Sequence, residues 1–316
     1  MDMINTIQGS LMENFYPKGW NLQYIQDCCK HADEDAFERQ SFWHPGFTPI
    51  CCKSVDDFNV KMGHEMAYQI AASRSRNEKL AMILPVGPIG IYEWCVYFLK
   101  SWKINCDHLY CFNMDEWSDS EGNTLPEDQP GSFKGTMEEV FYKPLGELTV
   151  PQAQRNFATK DNLVTYQEKI RKLRGEGARL ITVFGVGRDF HVAFCEPHFG
   201  EFYASDEEWK KEAYWIGARL HPLSIEQNAI YSFRSNFTNV PCYANTIGPA
   251  LFLDSDYIIG GVDGALGRGA SLQGVALWVT LRHGPTRWIP SSYMPTMPGC
   301  FFFVKELAES MIPDVH

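Results

Sequence analysis

The stretch ARLITVFGVGRDFHVAFCEP, Ala178 to Pro197, is where the fold is decided. It opens with an apolar run, Leu180 to Phe184, of the length of a buried strand, and the run stops at Gly185 and Gly187. Asp189, His191 and Glu196 follow directly. The Asp-x-His spacing brings a carboxylate close enough to hold one ring nitrogen and leave the other for proton transfer. Glu196, on a turn held by Pro197, can hold or tune the same histidine. Three plainer uses stay open from these residues alone: a satisfied core histidine, a helix cap for Asp189, or three ligands of a divalent ion. GVGRDF is not a dinucleotide fingerprint, because Phe190 stands at the third glycine and the stretch runs into Asp-x-His instead of a helix.

Outward from this strand the chain alternates between apolar runs and helical patterns. SVDDFNVKMGHEMAYQIAASR places Phe58, Met62, Met66 and Ile70 on one helical stripe, with Ser54 and Asp57 as a variant capping box. KLAMIL reads as a strand, IGIYEWCVYFLKSW as a helix and HLYCFNM as a strand. SDSEGNTLPEDQPGS is a polar loop, GTMEEVFYKPL a short helix and DNLVTYQEKIRKLR an amphipathic helix. SDYIIGG is a strand, GRGASLQGVALWV a helix behind a glycine turn, and CFFFVKEL a last strand running into a helix. The alternation predicts an α/β fold, a doubly wound, mainly parallel Rossmann-like sheet with helices on both faces. Ligands of such sheets sit beyond the carboxyl ends of the strands, here the turns at 85–90, 113–117, 185–197 and 261–269. Residues 1–53, rich in aromatics without a clean period, are expected to be an N-terminal extension packed on the core formed by residues 54–316.

Two of those turns carry further candidates. FNMDEW, Phe112 to Trp117, places Asp115 and Glu116 after a strand; neighbours there point in opposite directions, so one acid can face the cleft while the other caps a helix or pairs with a cation. An acid in a partly dry cleft has a raised pKa and can act as a base; a solvated turn is the plainer use. GALGRG, Gly264 to Gly269, is expected to open a helix as an anion site, with Arg268 as a fixed charge, or to be a plain turn with a surface arginine.

Composition narrows the function. Hydrophobic residues make up 45% and charged residues 21%, the balance of a globular protein. The formal net charge of -11, with no Lys/Arg cluster, argues against nucleic acid or an anionic membrane as partner. An anionic metabolite would therefore need a local basic pocket. No apolar run has the ~18 residues of a membrane span, and the N-terminus lacks the pattern of a signal peptide, so a cytoplasmic protein is expected. Ten cysteines without a C-x-x-C pair predict free thiols and no structural zinc.

These motifs, in this order, resemble the glucosamine-6-phosphate deaminase (isomerase) family. That family carries Phe-Asn-Met-Asp-Glu-aromatic, matched by Phe112 to Trp117, and Gly-Val-Gly-x-Asp-Gly-His-Ile-Ala-Phe-Asn-Glu-Pro, to which Gly185 to Pro197 is similar. Its late helix carries a phosphate-binding lysine, and Arg268 stands in the similar place; Arg234 lies near a second phosphate-binding arginine. The resemblance covers roughly residues 54 to 310. It implies an enzyme that converts glucosamine 6-phosphate to fructose 6-phosphate and ammonia by acid/base proton transfer, without metal or organic cofactor, and a homo-oligomer. It implies Asp115 as the base between C1 and C2, His191 as the ring-opening group oriented by Asp189 and Glu196, and Glu116 as support of the cleft. The family's phosphate loop, Leu-Pro-Thr-Gly-Gly-Thr-Pro, reads LPVGPIG here, Leu84 to Gly90. Val86 and Ile89 remove hydroxyls and Pro88 a backbone donor, each bond to a charged group being worth roughly 1.5–3 kcal/mol. Phosphate is then expected near Gly87, Arg234 and Arg268. Cys195 replaces the family's Asn and Phe190 its Gly. A 6-phosphogluconolactonase-like hydrolase shares the Gly-x-Gly-x-Asp-Gly-His stretch and is the alternative, with a non-catalytic sugar-phosphate sensor as the third reading.

Overall fold

In the computed structural model, residues 3–30, 33–267 and 270–309 are described. The core is a seven-stranded sheet of β1 (Phe47–Cys52), β2 (Leu80–Leu84), β3 (Leu109–Asn113), β5 (Arg155–Asn156), β6 (Arg179–Gly185), β9 (Tyr257–Val262) and β12 (Gly299–Val304). Their order is β1-β12-β9-β6-β2-β3-β5, and every pair is parallel. Helices flank the sheet, so its strands are covered on both faces, and β2 is buried at every residue. The expected doubly wound α/β fold is the one observed.

The strand order also fixes where a crevice opens. From β2 the chain winds outward to β3 and β5, then returns with β6 on the other side of β2 and continues to β9 and β12. The direction of winding reverses between β2 and β6, so the segments leaving their carboxyl ends part there. Residues 85–89 leave one strand and residues 186–196 the other. They part only slightly: a Cβ built on Gly185 would stand 3.3 Å from the Gly87 carbonyl oxygen.

The helices follow the sequence pattern. Phe58, Met62, Met66 and Ile70 are fully buried on the inner face of helix Val55–Ser75. Ser54 Oγ accepts from Asp57 N, and Asp57 Oδ2 accepts in turn from Lys53 N. The expected helix over 161–174 breaks instead into Lys160–Leu163 and Tyr166–Gly175. Thr165 causes the break, because its hydroxyl donates to the Asn162 carbonyl and competes with the backbone ladder.

A second, three-stranded antiparallel sheet was not foreseen. It consists of β4 (Asp115–Ser118), β7 (Tyr214–Arg219) and β8 (Tyr243–Ile247) in the order β4-β8-β7. Trp117, Phe194, Leu220, Ala229, Val240 and Ala244 form its small separate core. FNMDEW therefore does not end in a turn: Met114 N donates to the Leu84 carbonyl, Ile247 N donates to Met114, and the chain passes from one sheet into the other at Asp115. GALGRG does not open a helix either. β10 (Ala265–Gly267) pairs with β11 (Ala270–Ser271), and the helix begins only at Gly274. Arg268 itself lies outside the described residues.

Residues 1–53 supply β1, the edge strand beside β12. Earlier parts of the segment dock by their tryptophans: Trp20 Nε1 donates to the Trp288 carbonyl at 2.7 Å and Trp43 Nε1 to that of Leu281 at 2.9 Å. None of the ten cysteines is joined in a disulfide. Among the described residues no helix is long and apolar enough to cross a membrane.

Candidate active site

The loop after β6 gathers Asp189, His191 and Glu196 into one buried cluster. Gly187 makes the cluster possible, since the imidazole lies where its Cβ would be, 2.2 Å from both Cε1 and Nε2. Gly187 N donates to the His191 carbonyl at 2.9 Å and closes the turn. Asp189 Oδ1 stands 2.6 Å from His191 Nδ1, and Glu196 Oε2 stands 3.9 Å from the same nitrogen. One atom from each residue lies within 4.8 Å of the others, a spacing that a divalent ion could also use.

Ser224, from helix Pro222–Tyr231, completes the cluster. Its hydroxyl donates to Asp189 Oδ2 at 3.1 Å and lies 3.0 Å from His191 Nδ1. A hydroxyl has one proton. With that proton on Asp189, Ser224 must accept from Nδ1–H, which assigns the neutral ring its Nδ1 proton and leaves Nε2 with a lone pair.

The two acids are driven apart in charge. Burial opposes ionisation of Asp189, but the adjacent imidazole outweighs it and holds the carboxyl well below the usual range. Burial and then the charge of Asp189 push Glu196 well above its usual value.

Asp115 and Glu116 have separate environments, as alternation along β4 requires. The Glu116 carboxylate accepts from Phe133 N at 2.9 Å, Lys134 N at 2.8 Å, Trp117 N at 3.0 Å and Ser132 Oγ at 3.3 Å. It therefore anchors the start of helix Phe133–Met137. Burial raises its pKa, and the four donors act against that rise. Asp115, 7% exposed, makes no side-chain hydrogen bond among the described residues. Burial, and next the charge of Glu116, push its carboxyl well above the usual range. Two residues earlier, the buried amide of Asn113 also lacks a partner.

β8 joins the two motifs. Asp115 pairs with Thr246 across the ladder, and Thr246 Oγ1 accepts from Phe194 N at 2.9 Å. Phe194 packs between them with its ring tilted to both, its centroid 4.9 Å from Trp117 and 5.7 Å from His191.

The three expected phosphate contacts are less drawn together. Gly87 lies on the β2 loop against Gly185. Arg234 is exposed on a turn with φ 51, and among the described residues no hydrogen bond or ion pair joins it to Gly87 or to the acid/base cluster. Asp263, beyond β9, was not singled out from the sequence; burial raises its pKa to about 6. Ser224 was missed as well, although His221-Pro222 is a readable helix start: His221 accepts from Leu223 N at 3.2 Å and Pro222 opens the helix.

Fold and site together define an α/β protein of the fold shared by glucosamine-6-phosphate deaminases and 6-phosphogluconolactonases. Among solved structures, a monomeric glucosamine-6-phosphate deaminase superposes with a TM-score of 0.65 at 18% identity, over 82% of this chain and 98% of that one. A 6-phosphogluconolactonase from Trypanosoma cruzi gives 0.57 at 18% identity, over 86% and 98%.

In sequence the chain is similar to glucosamine-6-phosphate deaminases. The Caenorhabditis elegans enzyme is 28% identical over 189 residues, 59% of this chain and 65% of the relative. The Haemophilus influenzae enzyme is 26% identical over 182 residues, 56% and 60%. The matched part spans less than two thirds of either relative. No protein-family model matches the chain.

Proposed function

We propose that the chain is an aldose–ketose isomerase/deaminase that converts glucosamine 6-phosphate to fructose 6-phosphate and ammonia. The observation that carries this reading is that β8 and Phe194 link an unpartnered, nearly buried carboxylate, Asp115, to the loop of an imidazole flanked by Ser224 and Asp189. In this reading, Nε2 of His191 takes the proton of the anomeric hydroxyl and returns it to the ring oxygen as the bond between C1 and that oxygen breaks, which opens the pyranose ring to the aldehyde. Asp115 then removes the proton at C2 and delivers it to C1. Water adds at C2, ammonia leaves, and the ketose phosphate remains. A carboxylate with a raised pKa suits the middle step, being a stronger base near neutral pH than a solvated one. Glu116 anchors the start of helix Phe133–Met137 and supports the cleft without meeting the substrate. Gly87, Arg234 and Arg268 are assigned to the phosphate. A cytoplasmic location and a homo-oligomer accompany the reading on the family resemblance alone.

The test is ammonia release from glucosamine 6-phosphate by the purified chain, with Asp115→Asn expected to lose about 10²–10⁴ in rate. Full activity in that variant removes Asp115 from the mechanism. Hydrolysis of 6-phosphogluconolactone without ammonia release moves the chain to the lactonase reading. Tight calorimetric binding of the amino sugar without turnover makes it a sensor.

A further inference from the structure

We infer that residues 15–20 form a brace that holds the His191 loop in its working shape, with Trp20 stabilising a left-handed Phe190. Phe190 precedes His191 and has φ 75, a region that bulky residues rarely occupy. Its main chain is fixed on both sides, Phe190 N donating to Gly187 at 2.9 Å and Ser291 N donating to the Phe190 carbonyl at 3.0 Å. Something must favour this conformation over the relaxed one, and Trp20 is in place to do so. The Phe190 side chain is 3% exposed, and the Trp20 ring packs on it at 4.8 Å between centroids. Were the loop to relax, Phe190 would leave that contact.

The brace has its own anchorage. The Trp288 ring fills the space above Gly19, where a Cβ would stand 1.9 Å from it, and Trp20 donates to the Trp288 carbonyl. The same segment reaches the other support of the imidazole. His221 Nε2 lies 3.0 Å from the Phe15 carbonyl and its ring 5.1 Å from that of Phe15. His221 caps the helix that presents Ser224 to Asp189 and His191. One short segment thus bears on both neighbours of the acid/base cluster, and Trp20 is a positioning residue.

The inference rests on the proposed reaction only for its kinetic readout. In the full chain, Trp20→Ala should lower kcat for ammonia release by about tenfold, the size set by strain at one left-handed residue. It should also broaden the Nδ1 proton resonance of His191. Phe190→Gly added to Trp20→Ala should restore both, because glycine adopts the conformation without a brace. Trp20→Phe keeps a ring on Phe190 and should stay within about twofold of the native rate. Unchanged kcat and resonance in Trp20→Ala overturns the inference. So does a loss that Phe190→Gly fails to restore, since that is general destabilisation. If Trp20→Ala does not accumulate, recovery of folded protein in the double variant supports the brace and its absence refutes it. If the amino sugar is no substrate, the resonance alone decides, and the two readings fail separately.

Discussion

Replacing Gly187 by alanine tests the cluster at its tightest point. The new methyl would lie 2.2 Å from Cε1 and Nε2 and 2.4 Å from Cδ2 of His191, where ordinary contact begins at 3.4 Å. The imidazole must therefore retreat by about 1 Å, since the loop on the other side is tied through Gly187 N, Phe190 N and Arg188 N, the last donating to Gln227 Oε1. A shift of that size stretches the 2.6 Å contact with Asp189 and breaks the 3.0 Å hydrogen bond between His191 Nδ1 and Ser224 Oγ. Leaving these buried groups unpaired costs about 1–3 kcal/mol, a fall in Tm of several degrees for a chain of this size. The rate should fall further, by about 10²–10³, because the ring loses both its orientation and its tautomer assignment. Ammonia release and a thermal melt measure the two effects side by side. A Gly187→Ala enzyme with native kcat and Tm would show that the imidazole does not depend on this packing, and the positional account of His191 would fail.

Three further outcomes follow from charge and burial. Glu116→Ala strands the N–H groups of Phe133 and Lys134 and the hydroxyl of Ser132, so stability should drop by on the order of 3 kcal/mol in a urea titration, and the 118–132 loop should become the first site of limited proteolysis. Asp115→Asn should instead be more stable than the parent at pH 8 while losing activity: the folded carboxyl is raised, so its contribution is favourable at low pH and is lost as pH rises, and the gap should close towards pH 4. Asp263→Asn should follow the same sign in a defined window, with no difference below pH 4, a gain growing as pH rises to about 6, and a plateau above it on the order of 3 kcal/mol by chemical denaturation.

The sheet was legible because its strands are buried on both faces and so read as short apolar runs between helical stripes; Leu80–Leu84 and Leu180–Phe184 are examples. The antiparallel sheet was not, because its strands carry Tyr, Trp, Asn and Thr, and the longest, β7, is half-buried without clean alternation and bulges between Trp215 and Ala218. Asp189, His191 and Glu196 could be picked out because they sit within one loop, where neighbours in sequence are neighbours in space. Ser224 comes from 33 residues beyond His191 and leaves no trace in that motif. The GALGRG hairpin was misread for a related reason: Gln273 decides it, its Oε1 accepting from Asp263 N and Gly264 N while its Nε2 donates to the Val186 carbonyl, and no periodicity reveals such a tie.

The split between Asp189 and Glu196 gives the cluster its direction. Both are fully buried and adjacent, and two ionised carboxylates there would repel each other in a region poor in water. Asp189 is held below its usual range and Glu196 above it, so in the proposed reading the pair presents one negative charge to the ring. When Nε2 takes a proton, the positive charge on the ring meets that carboxylate at 2.6 Å and the cluster becomes neutral instead of more highly charged. A divalent ion on the same three atoms would need Glu196 ionised and a lone pair on Nδ1. With the Ser224 hydroxyl donating to Asp189, that nitrogen keeps its proton, an arrangement that supports the proposed proton transfer at the opposite edge of the imidazole over a metal site.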